Sequence, residues 1–92
     1  MRHIILLALF TFLISACSSN DIEVDVRKSE SHFEVGMEFA QLKLLKNAID
    51  EFDLAIKLNP KNPNIYRKKG LVLFAMSRLD EAKTNFERAI SI

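Results

Sequence analysis

The stretch 36–55, GMEFAQLKLLKNAIDEFDLA, and the stretch 70–89, GLVLFAMSRLDEAKTNFERA, are two copies of one pattern. Gly36, Ala48, Phe52 and Ala55 return 34 residues on as Gly70, Ala82, Phe86 and Ala89. A period of that size marks a short unit that stacks on its neighbour and does not form a core alone. Inside each copy the apolar residues fall at helical steps. Phe33, Gly36, Phe39 and Ala40 share one face. After a break near Lys43-Leu44, the residues Leu45, Ala48, Ile49, Phe52, Ala55 and Ile56 form a second stripe.

Punctuation divides the remainder. Asn59-Pro60 ends the second helix, because proline has no amide proton and biases the residue before it away from helix. Asn62-Pro63 reads as a cap followed by proline in the first helical turn. A third helix carries Tyr66, Gly70 and Leu73, and a fourth carries Leu79, Ala82, Phe86, Ala89 and Ile90. Ser77, with Asp80 three residues on, is expected to cap the fourth helix. Residues 71–76 are apolar on every side, as expected of a helix buried on more than one face.

Taken together these residues resemble the tetratricopeptide repeat. Its pattern of aromatic, leucine, glycine, tyrosine, alanine, aromatic, alanine and proline is met by His32, Val35, Gly36, Phe39, Ala48, Phe52, Ala55 and Pro60. The second copy offers Tyr66, Lys69, Gly70, Leu73, Ala82, Phe86 and Ala89, and stops at Ile92 before the proline. His32 and Lys69 depart from the pattern. The resemblance implies an all-α fold: two helix-turn-helix repeats, four antiparallel helices forming a fragment of an α-solenoid. Repeat 1 is placed at 29–62 and repeat 2 at 63–92. It implies packing roles for Gly36, Gly70, Ala48, Ala82, Phe52, Phe86, Ala55 and Ala89. It also implies a protein-binding groove along the first helix of each pair. The candidate lining is Phe33, Met37 and Gln41 from the first repeat, with Arg67, Leu71 and Phe74 from the second.

Upstream, the composition changes. Arg2 and His3 form a short polar start, residues 4–14 are almost wholly apolar, and Ser15-Ala16 precede Cys17. The apolar run falls short of the roughly 20 residues needed to span a bilayer, so it reads as a secretory signal covering 1–16. Ile14, Ser15, Ala16 and Cys17 resemble the bacterial lipoprotein signal, an aliphatic residue and two small residues before cysteine. That resemblance implies cleavage between Ala16 and Cys17 and lipidation of Cys17, including palmitate-type acylation. One acyl chain binds a membrane only marginally, whereas two or three anchor it. Ser18, not aspartate, follows the cysteine, which by the same resemblance favours the outer membrane, on its periplasmic face, in a two-membrane bacterium.

Residues 17–28 then read as the lipidated N-terminus and a flexible tether. Ile22, Val24 and Val26 alternate with Glu23, Asp25 and Arg27, which predicts an extended segment. Cys17 is the only cysteine, so no disulfide forms within the chain.

Composition narrows the function classes. Losing the signal removes one basic residue, Arg2, from the 13 Lys and Arg, leaving the 12 acidic residues balanced. A neutral module lacks the cationic footprint of nucleic-acid binding. His32 has no histidine, cysteine or acidic cluster at metal spacing, and reads as a packing residue. No phosphate loop or nucleophile elbow is present, and Asp50-Glu51 and Asp80-Glu81 are adjacent, so on a helix they do not converge. The sequence therefore predicts no enzyme activity, no cofactor, no metal and no small-molecule substrate. Its expected partner is another envelope protein or a second copy. Narrower readings are a pilotin-like factor for type IV pilus or secretin assembly, or an adaptor regulating envelope hydrolases. The stop inside the second copy also admits a truncated remnant of a longer repeat lipoprotein.

Overall fold

The structure is a computed structural model that describes the backbone of residues 2–92 and the side chains of residues 21–92. Four helices follow one another: α1 (Arg2–Gln41), α2 (Leu45–Leu58), α3 (Pro63–Ala75) and α4 (Leu79–Ser91). Among the described residues there is no strand. α1 packs on α2, α2 on α3, and α3 on α4, which makes two hairpins stacked side by side. The expected all-α pair of repeats is the fold. The signal at 1–16, the cleavage at Ala16 and the lipid on Cys17 lie outside the residues whose side chains are described.

The core is centred on α2 and α3. Ala48, Phe52 and Ala55 of α2 and Ile65 and Leu73 of α3 are wholly buried, and Ala82 is α4's contribution. Burying a side chain such as Phe52 contributes about 1.5–3 kcal/mol. Phe33 of α1 meets that ring in a tilted contact, with centroids 5.7 Å apart and planes at 41°. The glycines explain how the rings fit. A Cβ on Gly36 would lie 2.6 Å from Cε1 of Phe52, and one on Gly70 would lie 2.7 Å from Cε1 of Phe86. Each glycine thus admits the aromatic ring of the following helix at a distance no side chain allows.

The turns repeat as faithfully as the helices. Lys43 and Ser77, 34 residues apart, both adopt left-handed backbone, with φ of 62° and 63°. In the first turn the amide of Leu44 donates to the Phe39 carbonyl at 2.9 Å and that of Lys43 to Ala40 at 3.1 Å. In the second, Arg78 donates to Leu73 and Ser77 to Phe74, both at 2.9 Å. These paired bonds close the helix C-terminus in a Schellman motif. Between the hairpins, the Asn62 side chain accepts from the amide of Asn64 at 3.0 Å and Pro63 takes the first helical position, as the sequence predicts. The Tyr66 hydroxyl donates to the Pro60 carbonyl at 2.9 Å, pinning the loop onto α3.

Two expectations are corrected. Residues 21–28, read as extended, are part of α1. No Gly or Pro interrupts 21–35, so the helix nucleated in the repeat propagates toward the N-terminus at one hydrogen bond per residue. Val26, Ser29, Phe33 and Gly36, at steps of three and four, show the helical period that the short alternation obscured. Secondly, Ser77 does not cap α4. The N-cap is Arg78, without a side-chain cap bond, because Ser77 is the left-handed residue of the turn. Arg78 instead chelates Glu81 at 2.8 and 2.6 Å. Residues 71–76 are buried on more than one face, as expected: Val72 and Leu73 are buried, while Leu71 and Phe74 stay 50% and 62% exposed. α2 and α4 cover only two sides of α3.

Candidate protein-binding surface

α1 and α3 run side by side over α2 and leave a groove between them, floored by the Phe52 ring. Its cavity of about 230 Å³ is lined by Met37, Ala40, Gln41, Phe52, Lys68, Leu71 and Val72. Met37, Ala40 and Gln41 follow one turn of α1, and Lys68, Leu71 and Val72 face them from α3 at i, i+3 and i+4. The walls are apolar. The Lys68 ammonium and the Gln41 amide are the polar side-chain groups at the rim.

Of the six residues read as groove lining, Met37, Gln41 and Leu71 come together here. Phe33 turns inward and packs on Phe52. Arg67 is exposed and donates to Asn64 Oδ1 at 3.3 Å, one turn back on its own helix. Phe74 lies on a second apolar surface of about 360 Å³, with Leu79, Ala82, Lys83, Phe86, Glu87 and Ile90 of α4. The basic group in the groove is therefore Lys68, one residue beyond the one the pattern selects. A helix turns by about 100° per residue, so a shift of one position moves a side chain off the groove.

The two departures from the repeat pattern have jobs in this frame. His32 Nδ1 lies 2.6 Å from Glu51 Oε2, joining α1 to α2. Lys69 Nζ lies 2.6 Å from Asp53 Oδ1, joining α3 to α2. Both pairs bridge neighbouring helices along the core. Ser29, absent from the residues that the repeat pattern selects, is almost wholly buried, and its hydroxyl donates to the Ala55 carbonyl at 2.7 Å. Its one signal is its place on the face of Val26, Phe33 and Gly36. Arg88 stacks its guanidinium 5.7 Å from the Tyr66 ring centroid, fastening α4 to α3.

Among the described residues, no group of three or more His, Cys, Asp or Glu is placed to hold a metal ion. No helix among them is long and apolar enough to cross a membrane. What the geometry offers is an apolar groove with a cationic rim, a surface for contact.

Comparison with known proteins agrees with this architecture. Residues 36–77 match a family described as TPR repeat, and residues 63–92 match one described as tetratricopeptide repeat. Over residues 36–92 the chain is made of tetratricopeptide repeats, a class of helical protein-interaction scaffold. It is similar to an uncharacterized protein of Methanocaldococcus jannaschii, with 27% identity over 71 residues that cover 77% of this chain and 83% of that one. No solved structure matches the chain significantly.

Proposed function

We propose that this chain is a non-enzymatic, lipid-anchored protein of the bacterial envelope that binds a protein partner through its two repeats and so supports assembly of a complex. The observation that carries the binding half is the groove between α1 and α3, where Met37 and half-exposed Leu71 flank Phe52 beneath Lys68. Such a groove suits a short apolar segment with an acidic group near it, because the ammonium adds orientation to the apolar contact. The anchoring half rests on Ile14, Ser15, Ala16 and Cys17 as they stand in the sequence. Ser18 after the cysteine favours the outer membrane.

Crosslinking in intact cells, followed by identification of what is joined to the chain, tests the binding half. Leu71→Glu is expected to reduce partner capture at least about tenfold, since it buries a charge at the contact. The helix content should stay unchanged, because Leu71 is half exposed in the free chain. Equal capture by wild type and variant would remove the groove from the proposal. Labelled palmitate, with and without Cys17→Ser, tests the anchor, and unlabelled wild-type protein would remove it. Recovery of secretin or pilus components would specify a pilotin-like role, and recovery of peptidases or peptidoglycan enzymes an adaptor role.

A further inference from the structure

The internal repeat measures what the outer face of α4 lacks. Residues 45–57 of α2 each have a counterpart in α4, and α3 lies over α2 whereas no element of the described chain lies over α4. Phe52 is wholly buried but Phe86 is only partly so. Leu45 and Ile56 are half-buried, while their counterparts Leu79 and Ile90 are 58% and 86% exposed. Two counterparts on this face bear charge, one of them newly so and the other as a retained carboxylate. Ile49, buried under the core, becomes Lys83, and Asp53, which receives Lys69 from the covering helix, becomes Glu87. Whatever covers α4 must therefore offer an anion to Lys83, a cation to Glu87 and apolar groups between and beside them.

We infer that a second copy of this chain covers α4, with α4 against α4 in antiparallel arrangement about a twofold axis. The inference rests on the reading of the repeats as a protein-binding module. An axis at Asn85 sets Lys83 of each copy opposite Glu87 of the other, satisfying both charges twice. It brings the exposed Leu79 of one copy beside Ile90 of its mate and the two Phe86 rings together at the centre. Pairing within one helix accounts poorly for these charges. Lys83 and Glu87 are 4.0 Å apart and run lysine first, the weaker order along a helix.

Head-to-tail stacking fits less well. Ile65 and Val72 share the face of α3 that carries Lys69 onto α2, and both are buried. The places on α1 that correspond to Ile65, Lys69 and Val72 hold Ser31, Val35 and Glu38. An α1 docked on α4 would set a hydroxyl and a carboxylate where the chain itself uses isoleucine and valine. A twofold contact is also self-closing, so it yields a dimer and not a filament.

Charge exchange in the full chain, expressed with its own membrane and carrying two different tags, tests this arrangement. A photoreactive benzoylphenylalanine in place of Leu79, which is 58% exposed on the paired face, reports contact with the mate. The wild-type chain is expected to crosslink to itself. Lys83→Glu and Glu87→Lys should each lower that yield about tenfold, because like charges then meet twice across the axis. Coexpression of the two single variants should restore crosslinks between unlike tags only, and the chain carrying both changes should crosslink as wild type. Helix content checks that the variants stay folded, as expected for side chains 79% and 64% exposed. Absence of self-crosslinks, single variants that crosslink like wild type, or unlike tags that fail to recover would each overturn the twofold. A chain that makes no self-crosslink but still captures a partner lost with Leu71→Glu would overturn this inference and leave the proposed function standing.

Discussion

At the scale of single residues, the two glycines look interchangeable in sequence but not in their surroundings. An alanine at Gly36 would place its methyl 2.6 Å from a Phe52 ring held on all sides, whereas at Gly70 it would meet Phe86, which has solvent on one side. Overpacking costs about 1–3 kcal/mol, against a gain of about 1 kcal/mol from helix propensity. In a chain carrying Lys83→Glu, which is unpaired, Gly36→Ala is thus expected to lower stability by up to about 2 kcal/mol in urea unfolding, and Gly70→Ala by clearly less because its ring has room to rotate. Equal losses would mean that the Phe86 ring is confined as tightly as Phe52. The turns supply the opposite case. Lys43 and Ser77 hold φ near 60°, a conformation that costs about 1–2 kcal/mol for residues with a Cβ. Replacing either with glycine removes that strain but loosens the unfolded chain. Lys43→Gly and Ser77→Gly should each raise stability by up to about 1 kcal/mol, read as a higher urea midpoint at constant slope.

At the scale of elements, the Asn62 cap decides where α3 begins. Its side chain accepts the Asn64 amide, the adjacent Pro63 contributes no donor, and Lys61 and Pro60 leave the chain no earlier helical start. Asn62→Ala should cost about 1 kcal/mol and raise amide exchange in the first turn of α3 before any other element. Helices α2, α3 and α4 were legible because Asn59-Pro60, Asn62-Pro63 and the alanine–phenylalanine stripes are local signals. The helical state of 21–28 was not. Six alternating residues fit a strand as well as a helix, and only the packed helix that follows decides between them. The Ser77 cap failed for a related reason. A serine before an acidic helical turn looks like an N-cap, yet the preceding helix claims it first as the left-handed residue of its own C-terminus. The groove was legible as a face, from Met37, Gln41 and Leu71, but not to the residue. Phe33 goes inward because an aromatic ring has more to gain against Phe52 than against solvent, and Lys68, not Arg67, reaches the rim.

At the scale of the whole molecule, stability is uneven along the stack. α2 is covered by α1 on one side and α3 on the other, while α4 meets α3 alone and buries only Ala82 completely. In an array held by contacts between neighbours, the element with one neighbour opens first. Amides of α4 should therefore exchange through a smaller opening than those of α2 in a chain carrying Lys83→Glu, which lacks the twofold contact. In the wild-type chain the pairing of α4 with its mate adds a second condition, because opening that helix requires the copies to separate. When most chains are paired, the free fraction falls as the square root of concentration, so a hundredfold rise in protein should slow α4 exchange about tenfold. Residues 21–28 supply the internal control, since they stand beyond the buried Ser29 and open without disturbing α4. Their exchange should not change with concentration in either chain. Hydrogen exchange followed by peptide mass at two concentrations reads all of this at once: protection of 79–91 that rises with wild-type concentration but not in the variant is the expected result, and parallel behaviour of the two chains would show that α4 bears no mate.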